Sequence, residues 1–186
     1  MNEGIIVHEY ESYKKVVVVY GSGSSGKTTS LRMLCQSLLA GKNSEDYILI
    51  KDDSLSGLVN PPNNIQVNRP DVMLAVHHNE KLVGVGTAGD IWDSVWQNFM
   101  FFDQYYPDEQ FDVVFVAIRG QCRQKGIGDC GRSFPLMALE ELECQYGLQV
   151  KRPFERVTKV SKNTPNFKNA CQMNNQALAR KLLAMI

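Results

Sequence analysis

The sequence contains no apolar run approaching the ~18 residues that carry a helix across a bilayer. Its start, Met1-Asn2-Glu3-Gly4, has neither the basic nor the apolar part of a secretory leader. These absences predict a cytoplasmic protein with no membrane partner. Excess charge is also missing: 20 Lys and Arg balance 20 Asp and Glu, for a formal net charge of zero. No global field therefore draws the chain to nucleic acid, and any such attraction must be local. Five cysteines, Cys35, Cys122, Cys130, Cys144 and Cys171, are scattered without C-x-x-C spacing. That pattern argues against a zinc site or a disulfide framework and predicts reduced thiols. Repeats, low-complexity tracts and linkers are absent too, so residues 1–186 are expected to form a single domain.

What is present is concentrated near the start. Gly21 to Thr28 reads Gly-Ser-Gly-Ser-Ser-Gly-Lys-Thr, with the apolar Val16-Val17-Val18-Val19 before it. After it, Leu31, Leu34, Leu38 and Leu39 fall on one helical face up to Gly41, a plausible stop. The spacing G-x-x-x-x-G-K-[ST] suits a phosphate cradle. Glycines let the main chain curl so that N–H groups point inward, a lysine reaches the outer phosphates, and a hydroxyl takes a magnesium position. A flexible Gly/Ser turn without a ligand is the plain alternative.

Through these eight residues and their strand-loop-helix setting, the chain resembles the P-loop NTPase superfamily. The alternation of strand and helix along the chain predicts a three-layer α/β fold with a mostly parallel central sheet, to which an antiparallel hairpin is added, and this agrees with the resemblance. The resemblance implies ATP or another nucleoside triphosphate with Mg²⁺, held by Gly21, Ser22, Gly23, Ser24, Ser25, Gly26, Lys27, Thr28 and Thr29, with Thr28 as a metal ligand. No narrower family is legible.

Along the chain, Ile5-Ile6-Val7 reads as an extra strand or an N-terminal clasp. Tyr47 to Lys51 reads as a strand ending in Asp52-Asp53. Those acids are placed for Mg²⁺ or an acceptor hydroxyl, or else cap the next turn. Residues 56–70 have loop composition. Val72 to Val76 and Leu82 to Gly86 form a hairpin, with His77 to Lys81 as its turn; the two histidines are metal-ligand or proton-shuttle candidates, or simply face solvent.

Asp90 opens an aromatic helix from Ile91 to Tyr106 and is a candidate Mg²⁺ acid, displaced four residues from Gly86, or only a helix cap. In that helix Trp92, Trp96 and Phe99 share a stripe, either core or a base-stacking platform. The strand Phe111 to Ile118 leads into Arg119, Arg123, Lys125 and Arg132, a glycine-rich basic segment. It suits a lid over phosphates, a solvated loop, or a nucleic-acid contact, the last weakened by its lack of aromatics. A helix over Phe134 to Tyr146, short strands at Leu148 to Lys151 and Arg156 to Val160, and a closing helix over Asn169 to Met185 complete the reading.

The candidate catalytic set is Lys27, Asp53, Asp90, Arg119 and Arg123, with Thr28 and Asp90 on the metal. A phosphate loop, an acid and mobile arginines suit phosphoryl transfer to a small molecule or nucleotide. The alternatives are a regulatory NTPase acting through a protein or nucleic-acid partner, and a nucleotide-binding module without turnover. Ile118 is followed by Arg119-Gly120-Gln121, where guanine-reading proteins of the superfamily carry Asn-Lys-x-Asp.

Overall fold

Val16, Val17, Val18 and Val19 are all fully buried, so this strand has protein on both faces. Alternate side chains of a strand point to opposite faces. Val17 and Val19 accordingly join one apolar cluster, and Val16 and Val18 the other. The strand is a central member of a sheet sandwiched between helices. A computed structural model describes residues 5–8, 14–21, 25–51, 71–87, 92–119 and 160–186. Its elements are β1 (Ile5–His8), β2 (Val16–Gly21), α1 (Lys27–Leu39), β3 (Tyr47–Lys51), β4 (Val72–His78), β5 (Lys81–Gly86), α2 (Trp92–Tyr105), β6 (Val113–Arg119) and α3 (Phe167–Leu183). Within the described residues they form one α/β sheet of six strands in the order β1-β2-β6-β5-β4-β3.

The first apolar piece is an edge strand, paired antiparallel with β2. The expectation of a mostly parallel sheet is corrected. Of the neighbouring pairs, β2–β6 and β5–β6 are parallel, while β1–β2, β3–β4 and β4–β5 are antiparallel. Two strands account for this: β1 runs against β2 at one edge, and β4, inserted between β3 and β5, makes two antiparallel ladders by itself. β3 nevertheless runs in the direction of β2, β5 and β6. Gly21, Lys51, Gly86 and Arg119 therefore close their strands at the same sheet edge.

The hairpin turn is tighter than the sequence reading. His77 and His78 belong to β4, opposite Leu82 and Lys81, and Asn79 and Glu80 alone make the turn. Both have positive φ, 49° and 64°, as a two-residue turn matched to strand twist requires.

α1 and α3 cover one face. Leu31, Leu34, Cys35, Leu38 and Leu182 pack there on Val17, Val19, Leu49, Leu74 and Phe115. α2 covers the other with Phe99, Phe101 and Phe102, which meet Val16, Val18, Val114 and Val116. The Phe101–Phe102 and Phe102–Phe111 ring centroids are 5.3 and 5.1 Å apart, so these aromatics are core; the Trp92 and Trp96 side chains lie outside what is described.

The carboxyl end of α3 is fastened beside the start of β2. Lys15 Nζ donates to Met185 O at 2.8 Å, and Lys81 Nζ donates to Ile186 O. Cations at a helix carboxyl end complement its exposed carbonyls. Asp112 ties three strand starts together: its carboxylate accepts from Lys14 Nζ at 2.6 Å and from Leu82 N at 2.9 Å.

Candidate functional site

The motif begins where β2 ends. Gly21 is the last residue of that strand, paired in register with Arg119 of β6, and Lys27 is the first residue of α1. The two glycines described here, Gly21 and Gly26, both stand where a side chain would collide with a neighbour. A Cβ on Gly21 would come within 2.9 Å of Ser25 Oγ. Gly26 has φ +94°, a conformation L side chains rarely adopt, and a Cβ there would lie 2.1 Å from Asn175 Oδ1.

The Lys27 side chain reaches back to the end of β2. Its Nζ donates to Gly21 O at 2.8 Å and to Ser25 Oγ at 3.3 Å, and the residue is only 6% exposed. A buried ammonium is costly unless oxygens surround it. Here Gly21 O and Ser25 Oγ help to hold it, at the mouth of a helix whose N-cap is Gly26. The first turn of an α-helix carries main-chain N–H groups and the positive end of the helix dipole, and here both stand beside a fixed cation. Thr28 and Thr29 are half-buried in that turn. Ser30 closes it, its N–H donating to Gly26 O at 2.9 Å and its hydroxyl to the same oxygen at 2.8 Å. One turn further, burial pushes the Cys35 thiol up to about 12, with the Arg32 charge working against the rise, so the thiol stays protonated.

Of the predicted site residues, Gly21, Ser25, Gly26, Lys27, Thr28 and Thr29 are brought together around the start of α1. Arg119 joins them in backbone terms, one strand away from Gly21, and its side chain is outside the description. Ser22, Gly23, Ser24, Asp53, Asp90 and Arg123 lie outside the described residues, as do Asp52, Lys125, Arg132, residues 56–70, the helix expected over 134–146, the strand expected at 148–151 and all but Val160 of the strand expected over Arg156 to Val160; Val160 itself is not in a strand.

His77 and His78 do not contribute. Consecutive on a strand, they point to opposite faces, and they stand at the far end of β4 from Val72, about 17 Å along the strand. His77 Nε2 instead lies 3.6 Å from Glu109 Oε2, with its ring edge-on to Tyr106. Among the described residues no group of three or more His, Cys, Asp or Glu forms a metal cage. Mg²⁺ bound through nucleotide phosphates needs only one or two protein oxygens, and the half-buried Thr28 hydroxyl is of that kind. A cavity of about 290 Å³ opens at the opposite sheet edge among Lys14, Lys15, Lys81 and Asp112. Its lysines serve Asp112 and the end of α3.

Two residues near the end of the sheet where β2 stops escaped sequence reasoning. Asp71 precedes β4, and its Oδ1 accepts from Thr87 Oγ1 at 2.9 Å; the same hydroxyl accepts from Val72 N at 2.8 Å. It became visible only once β4 was known to run opposite to its neighbours, which brings the strand's start to this edge. Asn175 sits on Gly26 from α3, and no local pattern joins residues so far apart in sequence. No family model, curated protein or solved structure matches the chain.

Proposed function

We propose that this chain binds ATP, or another nucleoside triphosphate, with Mg²⁺ at Gly21 to Thr28, and transfers the terminal phosphoryl group to a small-molecule or nucleotide acceptor in the cytoplasm. The proposal includes the P-loop NTPase relationship that the motif implies. The observation that carries it is Lys27: a buried ammonium folded over Gly21 O and Ser25 Oγ, at the start of α1, beyond the carboxyl end of a central strand. A triphosphate tail is the ligand such a place accepts, because amide hydrogens, helix dipole and ammonium all favour concentrated negative charge.

In this reading Lys27 exchanges its loop oxygens for phosphate oxygens, and the amides of the first turn of α1 hold the anion in place. Thr28 would hold the metal through its hydroxyl, with Asp90 as the expected acid. Magnesium, when bound, neutralises charge on the phosphate oxygens. Asp53 is assigned to the acceptor hydroxyl, and Arg119 and Arg123 to charge that develops during transfer. The strand directions support the grouping, since β2, β3, β5 and β6 all end at the edge where these residues follow in sequence.

The test is ADP release from ATP in the presence of a panel of hydroxylated metabolites and nucleoside monophosphates. Turnover that rises with one acceptor class supports the proposal. Turnover stimulated only by a protein or nucleic acid replaces it with a regulatory NTPase, and binding without turnover replaces it with a nucleotide-binding module.

A further inference from the structure

We propose that Asn175 of α3 is a positioning residue for the phosphate loop, so that the closing helix sets how tightly the loop grips a nucleotide; this rests on the nucleotide-binding reading above. α3 begins beyond the loop and ends beside the start of β2, so it runs alongside α1 with the same polarity. Most of the shared surface is aliphatic, with Leu178 and Leu182 against the cluster that holds Leu31, Leu34 and Leu38. At the level of the loop it turns polar. The Asn175 carboxamide occupies the space where a side chain on Gly26 would stand, and Ser30 Oγ reaches Asn175 Oδ1 at 3.5 Å while donating to Gly26 O at 2.8 Å.

Gly26 is where this contact has consequences. Its φ of +94° sets the direction of the peptide that follows, and that peptide carries the N–H of Lys27 and leads into the first turn of α1. A glycine held only by its own backbone would sample many conformations, since it lacks the Cβ that restricts other residues. Packing a carboxamide against its Cα on one side, and binding its carbonyl with Ser30 on the other, removes that freedom before a ligand arrives. Preorganisation of this kind shows in affinity, because the cost of ordering is met during folding. An apolar residue at position 175 would bridge the two helices equally well but would place no dipole beside the loop.

The experiment is calorimetric titration of MgATP into wild type, Asn175→Ala, Asn175→Asp and Lys27→Met, with thermal melts of each. Asn175→Ala is expected to weaken MgATP by roughly tenfold, while its melting temperature changes little. Asn175→Asp keeps the shape and adds a negative charge near the bound phosphates. It is expected to weaken binding in low salt and to recover part of the loss at high ionic strength. A simple packing role would move the melting temperatures and leave the salt dependence unchanged. If both Asn175 variants bind within twofold of wild type while Lys27→Met loses affinity, the role given to Asn175 is wrong and the nucleotide site stands. If wild type itself does not bind MgATP, both readings fall.

Discussion

Gly26→Ala tests the loop geometry without any ligand. Two separable costs follow from the structure. The first is conformational: at φ +94° an alanine Cβ crowds its own backbone, which costs about 1–2 kcal/mol. The second is steric: the new Cβ would sit 2.1 Å from Asn175 Oδ1, so the carboxamide must retreat by about 0.9 Å to reach the 3.0 Å below which real contacts are essentially absent. The atom met ends a half-buried side chain that can swing aside, so this second cost is that of an off-rotamer carboxamide, about 0.5–1.5 kcal/mol. Together they predict a loss of roughly 1.5–3.5 kcal/mol by urea unfolding at unchanged m-value. The double variant Gly26→Ala/Asn175→Ala separates the two terms, because it removes the steric part and leaves the conformational part. The double variant should therefore be more stable than Gly26→Ala alone by about 0.5–1.5 kcal/mol. A Gly26→Ala variant within about 0.5 kcal/mol of wild type, or a double variant no better than the single one, would refute this geometry.

Two further predictions concern the sheet. Glu80 occupies the second turn position of the hairpin with φ 64°, where glycine is unstrained; Glu80→Gly should stabilise the protein by about 0.5–1 kcal/mol in urea unfolding, and destabilisation would contradict the assigned turn. For Asp112, burial works against the ionised carboxyl but is outweighed by the Lys14 hydrogen bond, the Leu82 N–H and the Lys14 and Lys81 charges, so its pKa is lowered. Its stabilising contribution is present above the ordinary carboxylate pKa of ~3.9 and is lost as pH falls through the lower folded value. The stability gap between wild type and Asp112→Asn should thus be full at neutral pH and close in acid, as urea melts across that range would show; a gap that widens in acid would reverse the sign.

The parts of the fold legible in the sequence were those written in local patterns. Val16 to Val19 announced a strand buried on both faces, and Leu31, Leu34 and Leu38 announced the face that α1 turns to it. The spacing of Gly21, Gly26 and Lys27 announced where a strand stops and a helix starts. Strand direction was not legible, because alternation of side chains says which residues are buried and nothing of the neighbour's polarity. That is why the sheet was expected to be mostly parallel, and why Asp71 escaped notice at the start of β4. The histidines were misplaced because a two-residue turn can be made by Asn79 and Glu80 alone, and polar strand ends resemble a longer turn. Asn175 was out of reach for a different reason: its contact with Gly26 depends on the docking of α3 on α1, which only the assembled core determines.

The most direct measurement is the affinity of MgATP for the folded wild-type protein and for Lys27→Met, which keeps side-chain bulk and removes the ammonium. A hydrogen-bonded charge of this kind is worth about 1.5–3 kcal/mol, or roughly ten- to a hundredfold in dissociation constant. Clear binding by wild type and a loss of that size in Lys27→Met, with the variant still folded, is the predicted result. Equal affinity for the two proteins would show that the ammonium held by Gly21 O and Ser25 Oγ serves the fold and grips no phosphate.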